Sequence, residues 1–254
     1  MMWTTARVHA QQHLSGQNHR LVLHAPELAA QAVPGQFIEL STGGATLLNK
    51  PLSIAAVAPA DGLLTVVYKT VGPGTRAFAH YHAGASVRVM GPCGNGFTLP
   101  DAPCYAVGGG IGIPPLYFLA TRTQQPMAVV LGARSADDMV LVDEFTKCAH
   151  VTLTLTSDDG SCGIKGMVTD ALTLALHAER RPVYACGPVP MLRAVARLCA
   201  EHAAPLWACL EAYMGCGMGV CMGCVVPTVR GMERVCHEGP VFRGEDVLWE
   251  QLDT

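Results

Sequence analysis

Short runs of alternating hydrophobic and polar residues fill the first hundred positions of the chain. Turn-forming groups such as Pro34-Gly35, Asp61-Gly62 and Gly72-Pro73-Gly74 separate these runs. Alternation with a period of two is typical of strands that bury one face. The six runs lie at 6–12, 19–24, 36–41, 52–57, 63–70 and 86–90. Six short strands without a long helix predict a small antiparallel β-barrel over residues 1–100.

The pattern changes at Ala102, where continuous hydrophobic runs begin to alternate with helical segments. We predict strands at 102–107, 127–131 and 151–156, a fourth strand that ends near Cys186, and helices through Thr121 and over 192–202. Strands that alternate with helices indicate βαβ units and a mostly parallel sheet. Residues 101–205 are therefore expected to form a parallel-sheet nucleotide-binding domain, and the fold class is mixed β and α/β.

Composition limits the classes of function. The chain has 254 residues, of which 50% are hydrophobic and 15% are charged, whereas soluble domains carry roughly 25% charged residues. Sparse charge hints at a surface that a partner covers. The net charge of −3 gives no reason to expect nucleic-acid binding. Neither a transmembrane run nor a secretory signal is visible, so we expect a cytoplasmic protein without a membrane anchor.

Eleven cysteines in such a chain indicate metal binding, catalysis or buried apolar positions rather than disulfides. Four of them, Cys216, Cys221, Cys224 and Cys236, form the pattern C-x4-C-x2-C-x11-C. This is the spacing of plant-type 2Fe–2S ligation, and the glycines between the first three cysteines permit a tight loop. Zinc stays open as an alternative, although structural zinc sites favour two separated C-x2-C pairs. Residues 206–254 are too few for a full ferredoxin fold and predict a small, loop-rich iron–sulfur domain.

A glycine-rich turn follows the first strand of the predicted parallel sheet. Such a turn brings the backbone against a pyrophosphate at a helix N-terminus, although on its own it is weak evidence. Its candidate cofactor-binding residues are Gly108, Gly109, Gly110, Gly112 and Pro114. Asp158 and Asp159 follow a later strand, where they either meet cofactor hydroxyls or stabilise a turn. Arg134 is placed to meet a 2′-phosphate or only solvent, and NAD is the favoured dinucleotide.

The turn Cys186-Gly187-Pro188 strengthens the nucleotide-binding hypothesis. The G-G-x-G-x-x-P turn and the later C-G-P turn together resemble the nicotinamide domain of the ferredoxin-reductase superfamily. The resemblance implies that Gly187 and Pro188 contact the cofactor. It also implies that Cys186 lies near the nicotinamide ring in a positioning role, while a buried strand-end thiol is the simpler alternative.

The barrel carries two segments that resemble the flavin-binding segments of the same superfamily. The first contains Lys50, Pro51, Leu52 and Ser53; the second contains Val67, Tyr68, Lys69, Gly74 and Thr75. The resemblance implies that the first segment holds FAD and its pyrophosphate, that 67–69 line the flavin, and that Gly74 and Thr75 donate to the pyrophosphate. Lys50 replaces the usual arginine and lacks its planar fork. Thr75 is also a candidate N-cap for a helix that begins at Arg76.

Over nearly its whole length the chain resembles the electron-transfer subunits of the NAD-linked, class B dihydroorotate dehydrogenases. The most specific part is Glu211-x-x-Met-x-Cys-Gly-x-Gly-x-Cys-x-Gly-Cys224, with 235–242 after it. The resemblance implies an FMN-containing catalytic partner that oxidises dihydroorotate to orotate in pyrimidine biosynthesis. Electrons would then pass through a 2Fe–2S cluster and FAD to NAD+, in a heterotetramer with two copies of each subunit.

Two other hypotheses stay open. A related flavin and iron–sulfur subunit would serve a ferredoxin:NAD(P) oxidoreductase or a hydrogenase complex, and the sequence separates it poorly from the first hypothesis. A non-catalytic binding or redox-sensing protein is the other alternative. The intact glycine turn at 108–112 and the intact turn at 186–188 argue against it.

Overall fold

The computed structural model describes residues 2–252. Its helices are α1 (Pro26–Gln31), α2 (Pro73–Phe78), α3 (Ile113–Arg122), α4 (Val142–Thr146), α5 (Val168–Ala178) and α6 (Val189–Glu201). Its strands are β1 (Met2–His13), β2 (Asn18–His24), β3 (Phe37–Leu40), β4 (Lys50–Ala58), β5 (Leu63–Lys69), β6 (Ser86–Cys93), β7 (Cys104–Gly109), β8 (Met127–Ala133), β9 (Val151–Ser157), β10 (Ile164–Lys165), β11 (Val183–Cys186), β12 (Leu206–Cys209), β13 (Val225–Thr228), β14 (Gly231–Arg234) and β15 (Val241–Arg243). Among these residues, no helix combines the length and apolar character needed to cross a membrane.

Strands β1 to β6 form a closed barrel in the order β1-β2-β5-β4-β3-β6, and every neighbouring pair is antiparallel. The predicted barrel is confirmed, as are its six strands. Alternate residues point inward, and Leu21, Ile38 and Ile54 are fully buried there. Closure pairs every strand edge, which allows such short strands to form a stable sheet.

Strands β7 to β12 and β15 form a second sheet in the order β10-β9-β8-β7-β11-β12-β15. All its pairs are parallel except β12 with β15. On β7, Tyr105 and Val107 join one core cluster with residues of α5 and α6, whereas Cys104 and Ala106 join another with residues of α3 and α4. Helices therefore cover both faces, which explains why the strands read as continuous hydrophobic runs.

The chain after residue 205 shares this sheet. Strand β12 lies beside β11, and β15 lies beside β12, while β13 and β14 form a separate hairpin. The predicted domain boundary at 205/206 thus falls immediately before a strand of the nucleotide-binding sheet. Cys224 and Cys236 belong to the same buried cluster as Val183 of β11 and Phe37 of the barrel. Strand β10, the four strands from β12 onward and helices α1, α4 and α5 were not predicted.

Helix α3 joins the two larger units. Its buried residues Ile113, Leu116 and Leu119 belong to a core cluster shared with the parallel sheet, and Phe118 is fully buried in the cluster that fills the barrel. A ring that crosses from one unit into the other buries a large apolar area at their junction. The barrel and the sheet are therefore held in a fixed relation by packing as well as by the chain that links them.

Phe118→Ala is expected to lower the free energy of unfolding by about 3–5 kcal/mol, because it opens a cavity where the two units meet. Chemical denaturation followed by circular dichroism measures this loss. Leu174→Ala on α5 is the control, since that side chain is 75% exposed and should change the free energy by no more than about 0.5 kcal/mol. Equal losses in both variants would contradict the assignment of Phe118 to the junction.

Candidate redox site: two adjoining cavities and a cysteine loop

The first cavity has a volume of about 670 Å³ and lies at the carboxyl ends of β7, β8, β9 and β11. Ligands of parallel-sheet proteins bind at this edge. Of the residues predicted to bind the dinucleotide, Gly109, Gly110 and Pro188 lie on its wall. Other lining residues are Asn18, Lys69, Ile111, Gly132, Ala133, Arg134, Asp138, Thr156, Asp158, Gly166, Met167, Val168, Thr169, Pro190, Met191 and Ala194. The space suits an extended dinucleotide.

The glycines of this site serve two different purposes. A Cβ on Gly112 would lie 2.5 Å from the Cys186 carbonyl, and a Cβ on Gly109 would lie 2.5 Å from the Met191 Sδ. Both glycines therefore let the two turns and α6 approach one another. Gly110 differs, because it has a φ of +52° and open space beyond it, so it leaves backbone accessible to a ligand. Gly108, Gly112 and Pro114 are buried and support the turn from behind.

Cys186 lies at the end of β11, fully buried and in register with Cys209 of β12. Its contact with the Cys209 thiol and its burial raise the pKa of Cys186 well above the ordinary value. A neutral, buried thiol is a poor nucleophile, which agrees with the predicted positioning role but does not test it. Cys209 itself lies on the wall of the second cavity.

Charged side chains border the first cavity on the side of β8. Lys69 from the barrel forms an ion pair with Asp138, and Arg134 donates to the Oδ2 atom of Asp138 from Nε at 3.0 Å and from Nη2 at 2.8 Å. The hydrogen bond from Lys69 is the largest cause that lowers the pKa of Asp138. Asp158 lies on the cavity wall. Asp159 accepts from the Ser161 N–H at 2.9 Å and so stabilises a turn.

The second cavity, of about 240 Å³, lies where the barrel, the parallel sheet and the C-terminal segment meet. Its barrel wall contains most of the predicted flavin-binding residues, namely Pro51, Leu52, Ser53, Val67, Tyr68, Lys69 and Thr75. The C-terminal segment supplies Cys209, Leu210, Glu211, Ala212, Met214 and Pro240. Lys69 and Ile111 line both cavities. The two cavities therefore adjoin.

Lys50 and Gly74 lie against each other beside this cavity. A Cβ on Gly74 would lie 2.7 Å from the Lys50 Cε, so the lysine stem passes directly over the glycine. The prediction that Thr75 caps a helix beginning at Arg76 is wrong. Helix α2 begins at Pro73, because a proline with its fixed φ suits the first helical position. The Thr75 Oγ1 instead accepts from the N–H groups of Val71 at 3.0 Å and Gly72 at 3.2 Å.

Backbone N–H groups surround the four predicted metal ligands. Cys216 Sγ accepts from Met218 N at 3.5 Å, Val220 N at 3.4 Å and Cys221 N at 3.4 Å, while Cys236 Sγ accepts from Gly219 N at 3.1 Å. Cys221 and Cys224 accept from the N–H groups of Gly223 and Cys236 at 3.4 Å. Although its burial acts in the opposite direction, these donors lower the pKa of Cys216 to about 6. These donors thus favour the thiolate form of Cys216, the form that binds metal, whereas burial and then the Cys224 thiol raise the pKa of Cys236 to about 12.

The four thiols fall into two pairs. Cys216 interacts with Cys221, and Cys236 interacts with Cys224. Within residues 2–252 no three or more Cys, His, Asp or Glu side chains are arranged around a single ion. Two thiolates for each of two irons is the arrangement that a 2Fe–2S cluster with four cysteine ligands needs. Cys221 is exposed, whereas Cys224 and Cys236 are buried, so one pair reaches the surface.

Glu39 of β3 supports the cysteine loop from the barrel. It is 2% exposed, and its Oε1 has no hydrogen-bond partner among the described residues. A Cβ on Gly217 would lie 2.5 Å from the Glu39 Cγ, so the loop requires glycine at this position. Burial and then the Cys216 thiol raise the pKa of Glu39 to about 7, while Lys50 acts in the opposite direction.

The sequence did not identify several residues that line the two cavities. Gly132 and Thr156 lie at the carboxyl ends of β8 and β9, and the rule that ligands bind at this edge could have identified them. Phe37 and Cys209 lie on strands that carry no distinctive motif. For 167–169 the local sequence contains no signal, because only the fold brings the start of α5 to the first cavity.

Two segments of the chain match models of known domain families. Residues 211–248 match the family model "Iron-sulfur cluster binding domain of dihydroorotate dehydrogenase B", and residues 106–197 match "Oxidoreductase NAD-binding domain". A solved structure of an NADH-dependent reduced ferredoxin-NADP oxidoreductase, described for flavin-based electron bifurcation, is 32% identical with a TM-score of 0.87 and covers 97% of this chain and 91% of that one. The FAD/NAD domain of a Vibrio cholerae nitric oxide dioxygenase, at 18% identity and a TM-score of 0.67, shares the fold.

Curated relatives cover the chain almost completely. An electron transfer subunit of dihydroorotate dehydrogenase B (NAD(+)) from Bacillus caldolyticus is 37% identical over 253 residues, 95% of this chain and 96% of the relative. The subunit of the same name from Desulforamulus reducens is 34% identical over 257 residues, 96% of this chain and 98% of the relative. Identity of this extent shows homology over both cavities and the cysteine loop. The chain belongs to the family of electron transfer subunits of dihydroorotate dehydrogenase B (NAD(+)).

Proposed function

We propose that this oxidoreductase subunit carries electrons to NAD+ from the FMN of a partner that oxidises dihydroorotate in pyrimidine biosynthesis. The observation that carries the proposal is the contiguity of its three sites. Lys69 and Ile111 separate the first cavity from the second, and Met214 on the wall of the second cavity lies two residues before Cys216. Bound FAD supplies the exchange between single-electron and hydride transfer. A site of that kind belongs between a dinucleotide and an iron–sulfur cluster.

The side chains of this protein bind and orient the cofactors rather than carry out the chemistry. Lys50 and Thr75 hold the flavin pyrophosphate, and the barrel wall at 51–53 and 67–69 holds its ring. The turns at 108–112 and 186–188 hold the dinucleotide. Cys216, Cys221, Cys224 and Cys236 are the metal ligands, and the surrounding N–H groups stabilise their charge.

The surface of the cysteine loop supports docking of a partner. Tyr213 is 98% exposed and Val220 is 76% exposed, and Met218 and Met222 are also exposed beside Cys221. Large apolar side chains grouped on one loop are typical of an interaction surface. The catalytic subunit would cover this loop and bring its FMN close to the cluster. The heterotetramer of two copies of each subunit and the cytoplasmic location stay predictions.

A second candidate function is a subunit of a ferredoxin:NAD(P) oxidoreductase. The observation that favours it is the 0.87 TM-score with the NADH-dependent reduced ferredoxin-NADP oxidoreductase. Both candidates use the same cofactor sites, so the partner decides between them.

Anaerobic co-purification of this protein with its partner, followed by addition of dihydroorotate and NAD+, tests the function. We expect an FMN-containing partner and the appearance of NADH absorbance. Val220→Asp is the matched variant, because a charge on the loop surface should abolish the dihydroorotate-dependent rate while NADH-dependent dye reduction persists. A complex that is silent to dihydroorotate but reduces ferredoxin with NAD(P)H would establish the second candidate.

Cys221→Ser is expected to remove the iron–sulfur cluster and leave FAD in place, because the flavin cavity does not use this side chain. Iron analysis, the visible spectrum and electron paramagnetic resonance measure the cluster, and NADH-dependent dye reduction measures the flavin site. Cys148→Ser, outside the loop, should retain the cluster. Loss of flavin together with the cluster would count against separate sites.

Lys50→Ala is expected to weaken FAD retention about tenfold, because a charge-assisted hydrogen bond to phosphate is lost. Flavin stoichiometry after gel filtration measures the effect. Lys50→Arg should retain FAD at least as well as lysine does, and Lys147→Ala, on the surface of the other unit, should change nothing. Full flavin occupancy in Lys50→Ala would refute the phosphate role.

A further inference from the structure

Four charged side chains line the first cavity: Lys69, Arg134, Asp138 and Asp158. The two cations both bind Asp138. Its Oδ1 accepts from Lys69 Nζ, and its Oδ2 accepts two hydrogen bonds from Arg134, at 3.0 Å and 2.8 Å. No other carboxylate among residues 2–252 pairs with either cation. One largely buried carboxylate therefore pairs with both cations of the cavity.

The pairing is held in place by the barrel. Ser15 Oγ and Asn18 Nδ2 donate to the backbone oxygen of Asp137, at 2.9 Å and 3.1 Å. The side chain of Asp138 is 15% exposed, and that of Arg134 is 76% exposed. The exposed Arg134 side chain is thus held by a largely buried carboxylate, and the backbone next to this carboxylate is anchored to the barrel.

This arrangement bears on which dinucleotide the cavity accepts. NAD and NADP differ by a 2′-phosphate, and an arginine with a free planar fork is the side chain best suited to bind it. Here the fork of Arg134 already binds a carboxylate through two N–H groups. Asp158 adds a negative charge on the cavity wall that has no ion-pair partner in the described part of the chain.

We propose that Asp138 is a specificity-determining residue, which excludes the 2′-phosphorylated dinucleotide by occupying the guanidinium group of Arg134. The proposal rests on the proposed function, because it assumes that the first cavity binds the dinucleotide. Specificity of this kind arises because the 2′-phosphate finds no free cation, rather than because the preferred dinucleotide gains a contact. A 2′-phosphate entering the cavity must displace Asp138 from its cations or remain unpaired near two carboxylates.

Calorimetric titration of the holoprotein with ADP-ribose and with 2′-phospho-ADP-ribose tests the proposal. Asp138→Asn is expected to strengthen binding of the phosphorylated probe about tenfold relative to ADP-ribose, because one charge-assisted contact becomes available. The same variant should raise the NADPH-to-NADH ratio of kcat/KM for dye reduction. Asp137→Asn is the matched control, because it removes the same charge from an exposed side chain one position earlier in the chain. This variant should leave the probe ratio unchanged.

Arg134→Ala provides a test that does not depend on the folding of Asp138→Asn. In the wild-type background it should leave the weak affinity for 2′-phospho-ADP-ribose unaltered, because Arg134 is already occupied. In the Asp138→Asn background it should cancel the gain. An unchanged probe ratio in folded, flavin-loaded Asp138→Asn, an equal change in Asp137→Asn, or weakened phosphate binding in Arg134→Ala alone would each overturn the proposal. Failure of ADP-ribose to bind the wild type would instead overturn the dinucleotide site itself.

Discussion

Three parts of the chain together form the wall of the second cavity, and this shared wall constrains the rest of the structure. The barrel supplies 51–53 and 67–69, the parallel sheet supplies Ile111, and the C-terminal segment supplies residues between 209 and 214. A cofactor that exchanges a hydride with one site and single electrons with another must lie against the first site and close to the second. The wall therefore exists only if the barrel, the sheet and the cysteine loop keep fixed relative positions. Phe118, which passes from α3 into the barrel core, contributes to that requirement.

The C-terminal segment keeps a fixed position relative to the other two parts because it joins a sheet that it could not form by itself. Fewer than about fifty residues bury too little apolar area to fold independently, and a metal site or a host domain normally compensates. Here β12 and β15 extend the nucleotide-binding sheet, and Cys224 and Cys236 lie in its core cluster. The cysteine loop is thus anchored at both ends, by β12 before it and by β15 after it.

The barrel and most of the parallel sheet could be predicted because their strands show clear periodic patterns bounded by turn residues. Strands β12 to β15 have only three or four residues each, too few to establish a period. Helix α5 was missed because Ala171-Leu172-Thr173-Leu174-Ala175-Leu176 reads as alternation, and packing against the sheet made it helical. The ion pair between Lys69 and Asp138 joins residues 69 positions apart, so only the folded chain brings them together.

The cysteine loop distributes its hydrogen bonds unevenly between the two pairs of thiols. Cys216 and Cys221 together accept four backbone N–H contacts, whereas Cys224 and Cys236 accept two. The first pair includes the exposed Cys221, and the second pair is buried. Donors and solvent both favour negative charge on sulfur. Charge on the ligands is therefore best stabilised at the exposed pair, while the buried pair lies in the core cluster that also contains Phe37 and Met214 of the wall of the second cavity.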